Sequence, residues 1–184
     1  MRKTLQLLST LVVGLSFFAA TAAAQTISWK QIVGIIPANN VVGSGTGAVP
    51  GGFLPWTTTA GAARVDLRSG KVEFVVRGLV FAGGNTIGTA APVTAVNGTL
   101  VCDADGSASP GKNSVLVQTL SVPLTFTGDA FFSGKIGPIP SVCQTEPDIA
   151  FLIRVTAFNG NAISQGPWIA NGAVLLRDND RDKH

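Results

Sequence analysis

The sequence predicts an all-β domain, specifically an antiparallel β-sandwich of the immunoglobulin-like or Greek-key type with about eight strands. Three observations lead to this class. Apolar residues alternate with polar residues at a period of two, the apolar segments are short, and clusters of Gly, Pro, Asn and Asp separate them. The mature chain also lacks the 3.6-residue apolar period of an amphipathic helix. The predicted domain covers residues 25–177.

The amino-terminal segment is typical of a secretory signal peptide. Arg2 and Lys3 precede an apolar run over residues 5–20, and Ala22 and Ala24 stand at the −3 and −1 positions. A membrane anchor is the alternative, but the run is short and a cleavage site follows it. We therefore expect cleavage after Ala24, a secreted or periplasmic location, and no integral membrane segment in the mature chain.

A β-hairpin is predicted around a tight turn at residues 69–70, where glycine supplies the positive φ that such turns require. The expected register places Val65 opposite Phe74 and Leu67 opposite Val72. These four side chains then share one face, and the charged residues between them share the other. A shift of one residue would reverse the two faces, so the alternation specifies which side is buried.

Six further strands are predicted from segments rich in Val, Ile, Phe and Thr. They cover residues 27–36, 94–102, 114–122, 129–136, 149–158 and 168–177. The strand at 149–158 is apolar on both faces, so its second face needs a cover. We expect a loop of the same chain to provide it, with a homodimer as the alternative.

Cys102 and Cys143 are the only cysteines of the chain. An even cysteine count in an exported protein most simply indicates one disulfide. Two buried free thiols are the alternative, whereas the count and spacing exclude a C-x-x-C redox motif and a thiolate zinc cluster. We therefore predict a Cys102–Cys143 disulfide.

Charge and residue usage exclude several functions. Loss of Arg2 and Lys3 leaves eleven basic against ten acidic residues, a net charge of +1, so nucleic acid is not an expected partner. The only histidine is His184, in a charged tail (178–184) that we expect to be disordered, and the chain has no tyrosine. Mechanisms that need a positioned imidazole are therefore excluded, and we predict no catalytic residues and no cofactor.

Carboxylates are the remaining catalytic candidates. The expected hairpin register sets Asp66 opposite Glu73, and Glu146 and Asp148 form a second close pair in the sequence. A pair of carboxylates is what a glycosidase uses, so a carboxylate-dependent hydrolase is one alternative function. Because basic residues flank Asp66 and Glu73, surface ion pairing is the favoured interpretation.

The segment after Cys102 has the sequence DADG, the beginning of an oxygen-rich loop. Asp103 and Asp105 are calcium-ligand candidates, but a bidentate Glu at position 12 is missing, since that position is Ser114. Asp and Gly also favour an ordinary turn, which is our main prediction, and no metal site is predicted. The calcium alternative corresponds to a calcium-stabilised adhesion or carbohydrate-binding domain.

Four residues are candidates for ligand binding. Phe53 and Trp56 end a glycine-rich segment, and we expect them to fold back as a lid that packs on one sheet, with an aromatic ligand platform as the alternative. Arg77 and Arg154 lie within apolar strands, where a buried arginine usually finds a carboxylate or carbonyl partner.

Several phrases of the sequence recur, in the same order, in a group of uncharacterised secreted bacterial proteins that the chain resembles. They are VPGGFLPW, ARVDLRSGKVEFVVRGLVF, NGTLVC, SVPLTFTGDAFFSGKI, VCQTEPDIAFLIR and WIA. This resemblance implies a small exported β-sandwich with one disulfide and implies no activity. The chain is more loosely similar to CHRD-type extracellular domains, but residues 81–96 lack the H-x-H segment of that family, which puts any metal binding by analogy in doubt.

The combined prediction is an exported, non-catalytic binding or structural module. Its partner is expected to be an extracellular or periplasmic protein or a glycan.

Overall fold

The computed structural model describes residues 25–36, 39–164 and 166–177. The predicted signal peptide and the charged tail lie outside these residues. None of the helices in the described ranges is long and apolar enough to cross a membrane. Within the same ranges the strands are β1 (Thr26–Gly34), β2 (Val41–Val42), β3 (Val49–Pro50), β4 (Trp56–Thr57), β5 (Ala60–Asp66), β6 (Lys71–Arg77), β7 (Val80–Phe81), β8 (Val93–Cys102), β9 (Val115–Gln118), β10 (Val122–Pro123), β11 (Ala130–Lys135), β12 (Ala150–Phe158), β13 (Asn161–Ala162) and β14 (Trp168–Arg177), with one short helix, α1 (Val142–Thr145), and a 3-10 turn at Gly45–Gly47.

The all-β prediction is confirmed. Ten of the described strands form one antiparallel sheet in the order β10-β8-β12-β14-β1-β5-β6-β11, with β9 added to β8 and β13 added to β12. Two small sheets, β2-β3 and β4-β7, complete the described structure. The long strands follow the predicted segments closely, because their alternating apolar residues face the core.

The large sheet curls, so strands that are distant in its order face each other. The ring of Phe151 in β12 lies 5.3 Å from that of Trp29 in β1 and 5.9 Å from that of Phe74 in β6. Gly98 in β8 lies against both phenylalanines, and a Cβ atom there would be 2.6 Å from Phe151. The aromatic core therefore joins four strands across the interior.

Both faces of β12 are buried within the single chain. Ile153 and Leu152 point to opposite faces, and each has 0% of its surface exposed. On the side of β14, the Trp168 indole Nε1 donates a hydrogen bond to Asn40 O, and Gly52 N donates to Trp168 O. The glycine-rich segment thus lies against this part of the sheet, as expected of loop cover. The homodimer stays the alternative, to be tested by the oligomeric state in solution.

The predicted segment 114–122 is two strands, β9 and β10, separated by three residues. The interruption has a local cause, since the hydroxyl of Thr119 accepts a hydrogen bond from Gly98 N and donates one to Leu120 O. The Thr119 hydroxyl thus accepts the hydrogen bond that a backbone carbonyl of a neighbouring strand would otherwise accept from Gly98 N.

The predicted register of the β5-β6 hairpin is wrong by two residues. Val65 pairs with Val72, and Ala63 pairs with Phe74. The reason is a longer turn, which the Asp66 carboxylate begins by accepting hydrogen bonds from the amides of residues 68 and 69. Because a shift of two preserves the alternation, the predicted apolar face is still the buried one.

This turn makes stability depend on pH. The backbone hydrogen bond from Ser69 is the main cause that lowers the pKa of Asp66 in the folded chain. The contribution of Asp66 is therefore complete above the unfolded-state pKa and is lost as the pH falls through the lower folded-state pKa. We expect Asp66→Asn to be less stable than wild type in urea unfolding at pH 6, with the difference shrinking below about pH 4. A constant difference down to pH 2 would contradict this assignment.

Candidate functional site

Three aspartates meet where the end of β8 approaches the segment after α1. One carboxylate oxygen from each of Asp103, Asp105 and Asp148 lies within 4.8 Å of those of the other two. Asp103 has 0% of its surface exposed, whereas Asp105 is exposed and Asp148 is half-buried. The cluster combines the two sequence candidates with an aspartate that follows more than 40 residues later.

Each of these carboxylates is held through one oxygen by a backbone amide. Asp103 Oδ1 accepts a hydrogen bond from the amide of residue 108 at 3.1 Å, and Asp105 Oδ1 accepts one from residue 107 at 2.8 Å. Asp148 Oδ2 accepts a hydrogen bond from the amide of Asp105 at 2.9 Å. The predicted turn is present as well, since Gly106 N donates to Asp103 O. The side chains are therefore fixed in position rather than free to separate.

In two of the three aspartates, the second carboxylate oxygen has no hydrogen-bond partner. Asp103 Oδ2 and Asp148 Oδ1 are buried, and neither has a hydrogen-bond partner among the described residues. Most buried polar atoms in folded proteins are hydrogen-bonded, and an unpaired buried charge is costly. These two oxygens are thus the clearest unmet requirement in the described part of the molecule.

Asp105, the third aspartate of the cluster, is ionised at neutral pH. Hydrogen bonds from the backbone amide and then from the hydroxyl of Ser107 lower the pKa of Asp105 below its usual range. The ion pair found among the described residues joins Lys71 to Glu73, and none of the three aspartates is paired with a described lysine or arginine. The site therefore brings three carboxyl groups together without a basic side chain beside them.

The predicted disulfide is confirmed, and it borders the cluster. Cys102 and Cys143 are bonded, with a Cα–Cα distance of 4.9 Å, and both are completely buried. Cys102 directly precedes Asp103, and Ala104 N donates a hydrogen bond to Asp148 O at 3.0 Å. The bond thus joins the two chain segments that carry the carboxylates.

A second candidate site is an apolar pocket of about 140 Å³ at the opposite end of β12. Its lining comes from five separate parts of the chain: Gly52, Phe53, Leu54 and Trp56; Phe81; Val93; Val155 and Phe158; Pro167 and Ile169. Phe53 lies at its rim with 83% of its surface exposed, and Leu54 beside it is 44% exposed. Large exposed apolar side chains next to an apolar pocket are typical of a contact surface.

The two aromatic candidates have different positions. Trp56 is only 2% exposed, and its ring centroid lies 4.0 Å from that of Phe81, so it packs in the core and forms the pocket wall. The prediction that Phe53 packs on a sheet is wrong, because 83% of its surface is exposed. The pair therefore combines a fixed wall with an exposed rim.

The carboxylate pair of the hairpin is not arranged as expected. Glu73 pairs with Arg64 rather than with Asp66 in the observed register. The Lys71 ammonium lies 3.0 Å from Glu73 and is the main cause that lowers the pKa of Glu73. Because the pKa of Asp66 is lowered as well, neither group retains the proton that a general acid needs at neutral pH.

The two arginine candidates, Arg77 and Arg154, differ in burial. The prediction of a buried side chain is wrong for Arg77, which is exposed at the end of β6. Arg154 is 5% exposed, and its Nε donates to Gly166 O at 3.0 Å. Burial lowers the pKa of Arg154, and the carbonyl is the kind of partner predicted for it.

Comparison with known proteins adds no relative. No family model, no curated protein and no solved structure matches the chain.

Proposed function

We propose that the protein is an exported, non-catalytic binding module whose contact site is the apolar pocket beside Phe53. The observation that carries this proposal is an 83% exposed phenylalanine at the mouth of a pocket lined by apolar residues. Isolated exposed apolar residues are common on protein surfaces, but here exposure and concavity coincide.

The size of the pocket defines the ligand class. A volume of about 140 Å³ is close to that of an apolar cavity of about 150 Å³ that binds benzene. The pocket therefore has room for one aromatic or branched aliphatic group. We propose that this group belongs to a larger molecule, such as an exposed side chain of a partner protein. Phe53 and Leu54 would cover the part of the ligand that stays outside the pocket.

The non-catalytic part of the proposal is supported by the available side chains. The only histidine is at the last position of the chain, and tyrosine does not occur. The hairpin carboxylates are both ionised through local hydrogen bonds and ion pairing. A hydrolase would need one carboxyl group with a raised pKa.

We expect indole, used as a probe, to shift backbone amide resonances of residues around the pocket in a two-dimensional NMR titration. Phe53→Ala should weaken indole binding about fivefold, because one aromatic contact contributes about 1 kcal/mol. Phe126→Ala is the matched control, since Phe126 is 65% exposed and lines neither this pocket nor the second apolar pocket, beside Phe131. Shifts spread over the whole surface, or an equal loss of affinity in both variants, would contradict the proposal.

A further inference from the structure

We propose that Asp103, Asp105 and Asp148 form a calcium-binding site next to the Cys102–Cys143 disulfide. This inference does not depend on the apolar pocket, which lies at the other end of β12. It rests on the carboxylate cluster together with the two buried oxygens that have no partner in the described residues.

Charge is the first argument. Asp103 is completely buried, and a buried carboxylate is normally paired with a cation or a donor. An oxygen of each of the two further carboxyl groups lies within 4.8 Å. None of the three is ion-paired with a described basic residue, since the ion pair found there joins Lys71 to Glu73. A bound divalent cation would balance this charge at the point where it is concentrated.

Geometry is the second argument. Calcium binds oxygen ligands at about 2.3–2.6 Å, so ligands on opposite sides of the ion are about 5 Å apart. The separations in the cluster fall within that span. Each aspartate is anchored through one oxygen by a backbone amide, and in Asp103 and Asp148 the second oxygen is buried without a partner among the described residues.

The donor set favours calcium over other metals. All three side chains offer oxygen, and the two nearby cysteines are in a disulfide and do not ligate a metal. Calcium accepts six to eight oxygen ligands in flexible geometry, so backbone carbonyls and water would complete the shell. Water has access because Asp105 is exposed. Magnesium is less suited, since it requires near-octahedral geometry and retains most of its own water.

The site also has a structural consequence. Repulsion among the carboxylates acts between the segment after Cys102 and the segment after Cys143, which the disulfide holds together. Calcium would remove this repulsion and stabilise the same junction. The ion and the disulfide would thus stabilise the same junction, between the segments that follow Cys102 and Cys143.

The test is calcium binding and thermal unfolding of the mature oxidised protein. Titration calorimetry with calcium chloride should show one site with a dissociation constant of about 0.1–1 mM, as in extracellular modules. Calcium at about 10 mM should raise the melting temperature by about 3 to 10 °C relative to EDTA, and magnesium should raise it less.

Variants assign the site. Asp103→Asn and Asp148→Asn should abolish the calcium-dependent rise, and Asp105→Asn, at an exposed position, should weaken binding about tenfold while leaving the fold intact. Asp129→Asn is the matched control, because Asp129 also accepts a backbone hydrogen bond, from Gly78 N, but lies outside the cluster.

Two results would overturn the proposal. One is wild-type protein that shows neither heat of binding nor a change in melting temperature with calcium. The other is a calcium response that Asp129→Asn reduces as much as Asp105→Asn does.

Discussion

Replacing Cys102 and Cys143 together by alanine is expected to lower the free energy of unfolding by about 4 kcal/mol under oxidising conditions. The disulfide spans a sequence separation of 41 residues, and closing a loop of that length removes about this much entropy from the unfolded chain at 25 °C. The loss is a large part of the stability of a typical domain. Urea denaturation of wild type and double variant measures it directly.

The control for this prediction is the same comparison in a reducing agent. Once the disulfide of the wild type is reduced, its advantage over the double variant should fall to the small packing difference between cysteine and alanine. An equal difference in both conditions would show that packing around the sulfur atoms, and not the crosslink, is responsible.

Phe151→Ala is the second large effect, with an expected loss of about 3–5 kcal/mol. Phe151 is 1% exposed, and its ring contacts those of Trp29 and Phe74, which lie on strands that do not pair with β12. Its truncation leaves a cavity at the centre of the curled sheet, where Gly98 contributes no side chain to fill it. Thermal and urea unfolding both report the loss.

Phe131→Ala serves as the reference substitution of the same type. Phe131 lies on the outer face of β11 with 64% of its surface exposed, so its truncation should change stability by at most about 0.5 kcal/mol. Comparable losses at the two positions would contradict the assignment of Phe151 to the core.

The sequence was sufficient to predict which faces are buried, because alternation depends only on the period of the strand. It was not sufficient to predict the hairpin register. The Asp66 side chain caps the turn and moves Val65 from Phe74 to Val72, an effect that depends on side-chain hydrogen bonds rather than on polarity. Side-chain hydrogen bonds in the turn therefore decide the register of the hairpin, which the alternation of apolar and polar residues does not specify.

The candidate sites show the same limit. The sequence indicates Asp103 and Asp105 as calcium candidates, whereas it places Asp148 beside Glu146 as a pair of hydrolase candidates. The predicted disulfide contained the missing information, because pairing Cys102 with Cys143 brings their following segments together. The apolar pocket had no such signal, since its walls come from separate parts of the chain that only the curled sheet brings into contact.

An exported domain closed by one disulfide is the central claim about this protein, and intact-mass analysis of the protein recovered from its native host tests export and crosslinking together. After alkylation without reduction, we expect the mass of a chain that begins at Gln25, lower by about two hydrogens for the disulfide and with no alkyl group added. A chain that retains residues 1–24, or one that carries two alkylated thiols, would contradict the account of an exported domain closed by the Cys102–Cys143 bond.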